Sequence, residues 1–439
     1  MKTLARAISG SAGVPTGHFM PGSAGLQAGH FILLVALLAL CFVLACAPQQ
    51  SSGDDDQSPS SADDDDDSAP VDDDNDDNDD SSLDDDDDAS PSDDDDDDND
   101  DDNDDNDDDN LAWTAVYSDA AAFMYGVWAV APDDVFVVGG TSQTGSAWHY
   151  DGAAWSLLTI PSNVFAMNGV WASSPTNVYA LDGFQIVHFD GQIWSAVYTG
   201  QGGAYTTEWL LGVWGASASD IFVVGYYDTA LFISGEMLHG GGTNWASTLT
   251  GSGDDNILYG VGGSSGSDVF AVGGNVFPGS GPCVVHFDGA SWTASTAAGG
   301  GVMASVWSAS PTDAFAAGCG GAGCSATFPL PLGGSSAVWR YDGAKWTPMT
   351  VPAGPMLTSV WGSSSSDVFA VGWRVNGDNT TTAGALHFDG ASWQTMGFPS
   401  SVAWISGVSG TSPTDVYAVG GTDTAGVVLH YGPNAMNNE

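Results

Sequence analysis

One motif, returning seven times, constrains this chain more than any other feature. It reads as an apolar Gly-Val-Trp, a small-polar turn, Asp-Val-Phe-x-Val-Gly, a variable gap, His-Phe/Tyr-Asp-Gly, and a Trp three residues on. The first anchor stands at Val127-Trp128, Val170-Trp171, Val213-Trp214, Val261-Gly262, Val306-Trp307, Val360-Trp361 and Val408-Ser409. Successive anchors lie between 43 (171−128) and 54 (361−307) residues apart. Residues 111–439 are many for one simple core, yet no linker-like break divides them. A repeated unit resolves this, because each unit covers its apolar faces with its neighbours.

Each repeat reads as four strands. Strand A surrounds Gly-Val-Trp, and a turn such as Ser173-Ser174-Pro175-Thr176 follows, where proline presets φ. Strand B alternates, as in Val135-Phe136-Val137-Val138, and ends at Gly139-Gly140. Strand C leads into an Asp-Gly pair, at 151–152, 190–191, 288–289, 342–343 and 389–390. That pair predicts a tight hairpin in which both central residues take positive φ. Strand D begins at Trp155, Trp194, Trp245, Trp292, Trp346 or Trp393. The third repeat is degenerate, with Gly240-Gly241-Gly242 before its Trp. Repeats of 40–50 residues with four strands predict an all-β, seven-bladed β-propeller. The seventh repeat stops at His430-Tyr431-Gly432 without a Trp strand, and the segment Leu111–Val116 carries Trp113 in a strand-D pattern. The N-terminal strand is therefore expected to complete the last blade, which leaves no free sheet edge.

The Gly-Gly doublet after strand B, with Tyr/Phe-Asp and Trp downstream, resembles the kelch repeat of galactose-oxidase-like propellers. The Asp-Gly-x-x-Trp element is similar to the Asp-box of sialidase-type propellers, where it stabilises the turn between strands C and D. The resemblance covers residues 111–439. It implies architecture rather than activity, because propellers host unrelated functions. A true sialidase binds its substrate carboxylate with three arginines, and only Arg340 and Arg374 stand in the repeats. Galactose-oxidase-type copper chemistry lacks an off-repeat histidine.

Composition divides the chain into three. Residues 1–45 contain the apolar run Phe31 to Ala45, short for a bilayer span, which takes about 20 residues, and suited to a secretory h-region. Val43-Leu44-Ala45-Cys46 resembles the bacterial lipobox, which implies a lipidated Cys46 and a membrane anchor. The alternative is an ordinary secreted protein with a chance cysteine. Ala47, in place of Asp, favours the outer membrane, facing either the periplasm or the cell surface. Met20 is an alternative start. Residues 46–110 are nearly all Asp, Asn, Ser and Pro, and too polar to fold. Such a spacer is expected to be disordered, to reach about 200 Å when extended, and to associate weakly with Ca²⁺ rather than build a calcium loop. The whole chain has a net charge of −51, and only Arg340, Lys345 and Arg374 are basic after residue 110. Nucleic acid is excluded as a partner, and anionic membranes and acidic sugars are disfavoured. A monomer is expected.

His149, His188, His239, His286, His387 and His430 hold one position of the repeat, with Arg340 in the fifth. Placed once per blade, they form a ring and cannot converge on one metal. Each is expected to bond within its blade, to the turn carboxylates Asp134, Asp220, Asp268, Asp313, Asp367 and Asp415. The A–B and C–D turns have nearly fixed length and share one face. The B–C and D–A connections vary and share the other, where binding residues are expected. Candidates there break the repeat: Glu208, Trp209, Tyr226, Tyr227, Asp228, Asp254, Asp255, Trp373, Arg374, Asp378 and Trp404. Cys319 and Cys324 flank a glycine-rich loop and are expected to pair, with Cys283 as a rival partner.

No catalytic constellation stands out. The expectation is therefore a non-enzymatic, membrane-anchored binding or adhesion protein, with a protein or neutral carbohydrate ligand and no cofactor. The alternative is a glycoside hydrolase on neutral glycans, with two of Glu208, Asp228, Asp254 and Asp255 within about 5–10 Å. A third option is an envelope protein with a purely structural role.

Overall fold

The structure is a computed structural model. It describes residues 111–433 apart from 142, 203–205, 230, 252–253, 278–279, 296, 322, 328–332 and 379. The signal segment 1–45, Cys46 and the Asp-rich stretch to residue 110 lie outside the described residues.

Four-stranded antiparallel sheets repeat seven times. The chain opens with β1 (Leu111–Asp119). Blade one is β2 (Phe123–Ala131), β3 (Asp134–Gly140), β4 (Gly145–Tyr150) and β5 (Trp155–Leu158). Blade two is β6 (Gly169–Ser174), β7 (Asn177–Leu181), β8 (Gln185–Phe189) and β9 (Trp194–Thr199). Blade three is β10 (Thr206–Ser217), β11 (Asp220–Thr229), β12 (Ile233–Gly241) and β13 (Asn244–Leu249). Blade four is β14 (Asn256–Ser265), β15 (Asp268–Asn275), β16 (Pro282–Phe287) and β17 (Trp292–Ala294). Blade five is β18 (Val302–Ser310), β19 (Asp313–Gly320), β20 (Ser335–Tyr341) and β21 (Trp346–Pro348). Blade six is β22 (Met356–Ser364), β23 (Asp367–Val375), β24 (Thr381–Phe388) and β25 (Trp393–Met396). Blade seven has β26 (Trp404–Ser412), β27 (Asp415–Gly421) and β28 (Gly426–Pro433), and its fourth strand is β1. The inner strands touch in sequence around the ring, and β26 meets β2 to close it.

Strand B lies between two covered faces and reads as a continuous apolar run. All seven residues of β3 are buried. The aromatic in strand B joins one blade to the next. Trp292 meets Phe222 of the preceding blade edge-on, with ring centroids 6.2 Å apart; Trp346 meets Phe270 at 5.2 Å and Trp393 meets Phe315 at 6.4 Å. Trp113 meets Phe369 in the same way, at 6.4 Å and 88°. The N-terminal strand thus supplies the same interblade contact as an ordinary strand D. Its ladder runs from Leu111↔Pro433 to Asp119↔Gly426.

Strand A carries a bulge in six blades, skipping Tyr125, Leu211, Tyr259, Ala304, Thr358 and Ser406. A bulge re-aims the extra side chain, and here most of these residues line the axial channel. The bulge also explains the glycine of Asp-Val-Phe-x-Val-Gly. A Cβ on Gly372 would lie 1.9 Å from the Met356 carbonyl oxygen, and one on Gly225 would lie 1.7 Å from that of Trp209. Blade two has Asp182 at this position; its ladder ends at Leu181 and lacks this bulge.

The C–D turn corrects an expectation. Asp-Gly does not form a two-residue hairpin with two positive φ angles. Gly152 has φ 83° and Gly390 has φ 91°, whereas Asp255 is the only non-glycine with positive φ among the described residues. Tyr150 pairs with Trp155, so four residues make the turn. The N–H groups of Ala153 and Ala154 donate to Asp151 Oδ1 at 3.0 and 2.9 Å. The aspartate therefore acts as an acceptor inside the turn. Degenerate blade three alone has the short form, with Gly241 opposite Asn244 and Gly242 at φ 57°.

Candidate functional site

The two faces of the ring differ in what their side chains have left to offer. On the fixed-turn face, each strand-C histidine is spent inside its own blade. His149 Nε2 lies 2.7 Å from Asp134, and His286, His387 and His430 lie 2.7, 2.7 and 2.8 Å from Asp268, Asp367 and Asp415. His239 lies 2.6 Å from Asp220. Each ring also lies against the strand-B aromatic: His149, His239 and His286 stack on it, as His149 does on Phe136 at 4.4 Å, and His188, His387 and His430 meet it tilted. Arg340 repeats the arrangement with different chemistry. It donates twice to Asp313, at 2.8 and 2.9 Å, and its guanidinium lies 5.0 Å over Phe315. In blade two the partner is neutral: His188 lies 2.7 Å from Asn177 Oδ1, and burial pushes the imidazole below its ordinary pKa. The other carboxylate oxygen takes the hydroxyl of a second bulge, from Ser264 on Asp268 at 2.5 Å and from Ser363 on Asp367. These groups clamp the blades, and the described residues contain no cluster of three or more His, Cys, Asp or Glu suited to a metal.

The axial channel encloses a cavity of about 260 Å³. Hydroxyls stitch neighbouring blades along it. The N–H groups of Val360 and Val408 donate to Ser305 and Ser359, both at 3.2 Å, and Ser406 Oγ donates to the Tyr125 carbonyl at 2.9 Å. Part of the B–C connection of blade five, residues 324–327, packs on the inner strands. Cys324 and Ala326 are buried in one cluster with Leu211, Tyr259 and Met356, from the inner strands of blades three, four and six. The Tyr259 hydroxyl donates to the Thr327 carbonyl at 2.6 Å. A disulfide joins Cys319 to Cys324 at the base of this connection, and Cys283 is a free thiol pushed up to about 12 by burial and by Asp254.

The variable face holds the sequence candidates, but not all as loop surface. In blade three the ladder runs on, so Glu208, Trp209, Tyr226, Tyr227 and Asp228 stand on paired strands: Glu208↔Tyr227, Trp209↔Tyr226 and Thr207↔Asp228. Glu208 is 1% exposed and Tyr226 is buried. Tyr198 O–H donates to Glu208 Oε1 at 2.7 Å and Gln201 N–H donates to Oε2 at 2.9 Å. A carboxylate so enclosed cannot reach a glycan, so Glu208 is removed as a hydrolase candidate. Burial raises the pKa of Asp228. The ladder joins Asp228 to Ile233, whose carbonyl accepts the Asp255 N–H at 3.0 Å. Asp254 holds the Asn275 amide through its backbone carbonyl at 2.6 Å. Backbone pairing thus links Asp228 of blade three to Asp255 at the start of blade four.

Blade six stands apart. Trp373 pairs with Met356 and Ala383 at the end of β23, Arg374 Nε donates to Asn376 at 3.2 Å, and Asp378 accepts from Thr380. Trp404 lies at the seam of blades seven and one, stacked 5.7 Å from Tyr125 and near Phe123. Trp209 meets Phe184 at 4.2 Å. Tyr125, Phe123 and Phe184 were not among the sequence candidates: the first two stand in a strand, where an aromatic reads as core until its seam is known, and Phe184 sits in the short turn between β7 and β8.

Ladder and turns together define a closed seven-bladed β-propeller with one face of fixed turns and one of variable connections. No family model and no curated protein sequence matches the chain. Solved structures that it is similar to include "YCF48 bound to D1 peptide", at 14% identity and TM-score 0.49 over 73% of this chain and 96% of that one. YCF48 from Cyanidioschyzon merolae gives 13% and 0.49 over 73% and 99%, and the WD40 propeller domain of Doa1 gives 10% and 0.47 over 72% and 96%.

Proposed function

We propose that this chain is a non-catalytic binding protein, anchored through a lipidated Cys46 to the outer membrane, whose variable face takes a protein ligand. The observation that carries this reading is the contrast between the two faces. On the fixed-turn face the clamps use the repeat histidines, Arg340 and the A–B turn carboxylates, and the exposed side chains are mainly the C–D turn aspartates, with Lys345 and Ile193 (63%). The variable face exposes Leu231 (91%), Phe277 (61%), Phe165 (49%) and Val375 (48%). Asp228, Asp255, Asp378 and Asp423 stand among them, with Arg374 as the only described basic residue on that side. Exposed apolar side chains within a field of one sign favour a partner offering cations beside apolar groups. A polypeptide segment with Lys or Arg next to Leu or Phe meets both demands.

The test uses the full chain on peptide and glycan arrays, beside a variant carrying Asp228→Asn, Asp255→Asn and Leu231→Ser. Asparagine tolerates the positive φ of position 255. The Asp-rich stretch is common to both proteins and cancels in the comparison. Saturable binding to basic-apolar peptides is expected, weakened at least about tenfold in the variant, as loss of charge and apolar contacts predicts. Equal binding by both proteins, or reducing sugar released from a glycan, would sink the reading. For the anchor, Cys46→Ser is expected to move the protein from membrane to soluble fractions.

A further inference from the structure

We propose that Glu236 is protonated in its buried place beside Glu208, and that loss of this proton loosens the seam of blades two and three at the variable face. The two residues sit on one side of the blade-three sheet. Alternation along the strands puts Glu208, Tyr227, Ser234 and Glu236 on a common face, and Gly225, paired with Glu236, contributes no side chain there. That face is pressed against blade two, from which Tyr198 reaches Glu208. Glu208 is 1% exposed and Glu236 is 4% exposed. Among the described residues no lysine or arginine shares this seam; Arg340, Lys345 and Arg374 are on blades five and six.

The hydrogen bonds distinguish the two carboxyls. Both oxygens of Glu208 accept, from Tyr198 O–H and Gln201 N–H. Glu236 Oε1 accepts from Ser247 O–H at 2.6 Å, while Oε2 is buried with no partner among the described residues. An unpaired buried oxygen is costly as part of an anion and far less so as part of a neutral acid. The proton therefore belongs on Glu236. Burial, opposed by the Ser247 bond and aided by the Glu208 charge, pushes its pKa up to about 7. Two further titratable groups meet the pair: Tyr227 on the same face of the sheet, and Tyr198 from blade two, which is raised by burial and by Glu208.

Ionising Glu236 puts a second charge beside Glu208 in the seam. Glu208 also holds the D–A connection: Gln201 N–H bonds its side chain, and Glu208 N–H donates to the Gln201 carbonyl at 3.1 Å. The segment around Gln201 is thus the part released. A folded pKa raised above the unfolded one contributes stability that is complete below the unfolded value, 4.5. That contribution is lost as pH rises through the folded value, about 7.

Amide hydrogen exchange on the full chain tests this, expressed as protection relative to β23. Protection over residues 198–202 and 206–210 is expected to fall at least about tenfold between about pH 5 and about pH 8. Glu236→Gln is expected to abolish that fall. Ser247→Ala removes the bond that favours the anion, so its midpoint is expected to rise; a role confined to packing would leave the midpoint in place. The proposal is overturned if Glu236→Gln keeps the wild-type response, or if both variants leave the midpoint unchanged. Recovery of protection at high pH on adding CaCl₂ would also overturn it, assigning the pair to a cation instead.

Discussion

At the scale of single residues, the clamp on the fixed-turn face shows one geometric task met by three chemistries. His–Asp, Arg–Asp and His–Asn occupy the same place, and each basic group or imidazole lies against a strand-B aromatic. The neutral pair in blade two is the weak member in acid. His188 is depressed by burial, so the unfolded chain takes up its proton first and the stability it contributes is lost as pH falls below its unfolded pKa. Asn177→Asp would give it the partner found in the other blades. The expected result is an upward shift of the His188 titration by NMR and a smaller drop in Tm between about pH 7 and about pH 5. An unchanged titration would show that Asn177 does not control this imidazole. The histidine ring and its carboxylate partners were legible in the sequence because both recur at fixed positions. The stacking was not, because it depends on cross-strand register. Glu208 and Tyr226 read as loop residues because nothing local marks where a ladder stops. Glu236 had a faint signal, a lone acid where the other strand-C segments carry small, apolar or amide residues, such as Ala337, Gly384, Val427 and Gln185.

At the scale of elements, bulge and glycine form one device. The extra residue in strand A brings its backbone against strand B, and only glycine fits opposite it. Gly372→Ala would drive a Cβ to within 1.9 Å of a carbonyl oxygen. The expected loss is about 2–3 kcal/mol, read from chemical denaturation. Gly397, with nothing within 4 Å of its would-be Cβ, is the control; Gly397→Ala is expected to stay within about 0.5 kcal/mol. Equal effects would show that close approach does not explain the repeated glycine. The glycine itself was legible from the repeat, but the bulge was not, since a skipped residue leaves no mark in hydrophobic alternation. The Asp-Gly turn was misread for a related reason. Dipeptide identity suggested a two-residue hairpin, whereas the N–H groups of the next residues are drawn onto the aspartate side chain.

At the scale of the whole molecule, seven blades follow from counting anchors, because a closed ring requires every unit to be covered on both sides. The closure depends on a few side chains. Trp113 is 5% exposed and meets Phe369, Phe398 and Tyr431. Trp113→Ala is expected to cost about 3–5 kcal/mol, with a corresponding fall in Tm. A variant as stable as the wild type would mean that the ring holds without this strand. The ladder of β1 also has a mechanical side. Leu111 enters at the fixed-turn face and β1 runs towards the variable face, antiparallel to β28. A pull on the chain at Leu111, resisted at the opposite face, acts along the strand rather than across it. The hydrogen bonds from Leu111 to Asp119 are then loaded together in shear, instead of being peeled apart one at a time.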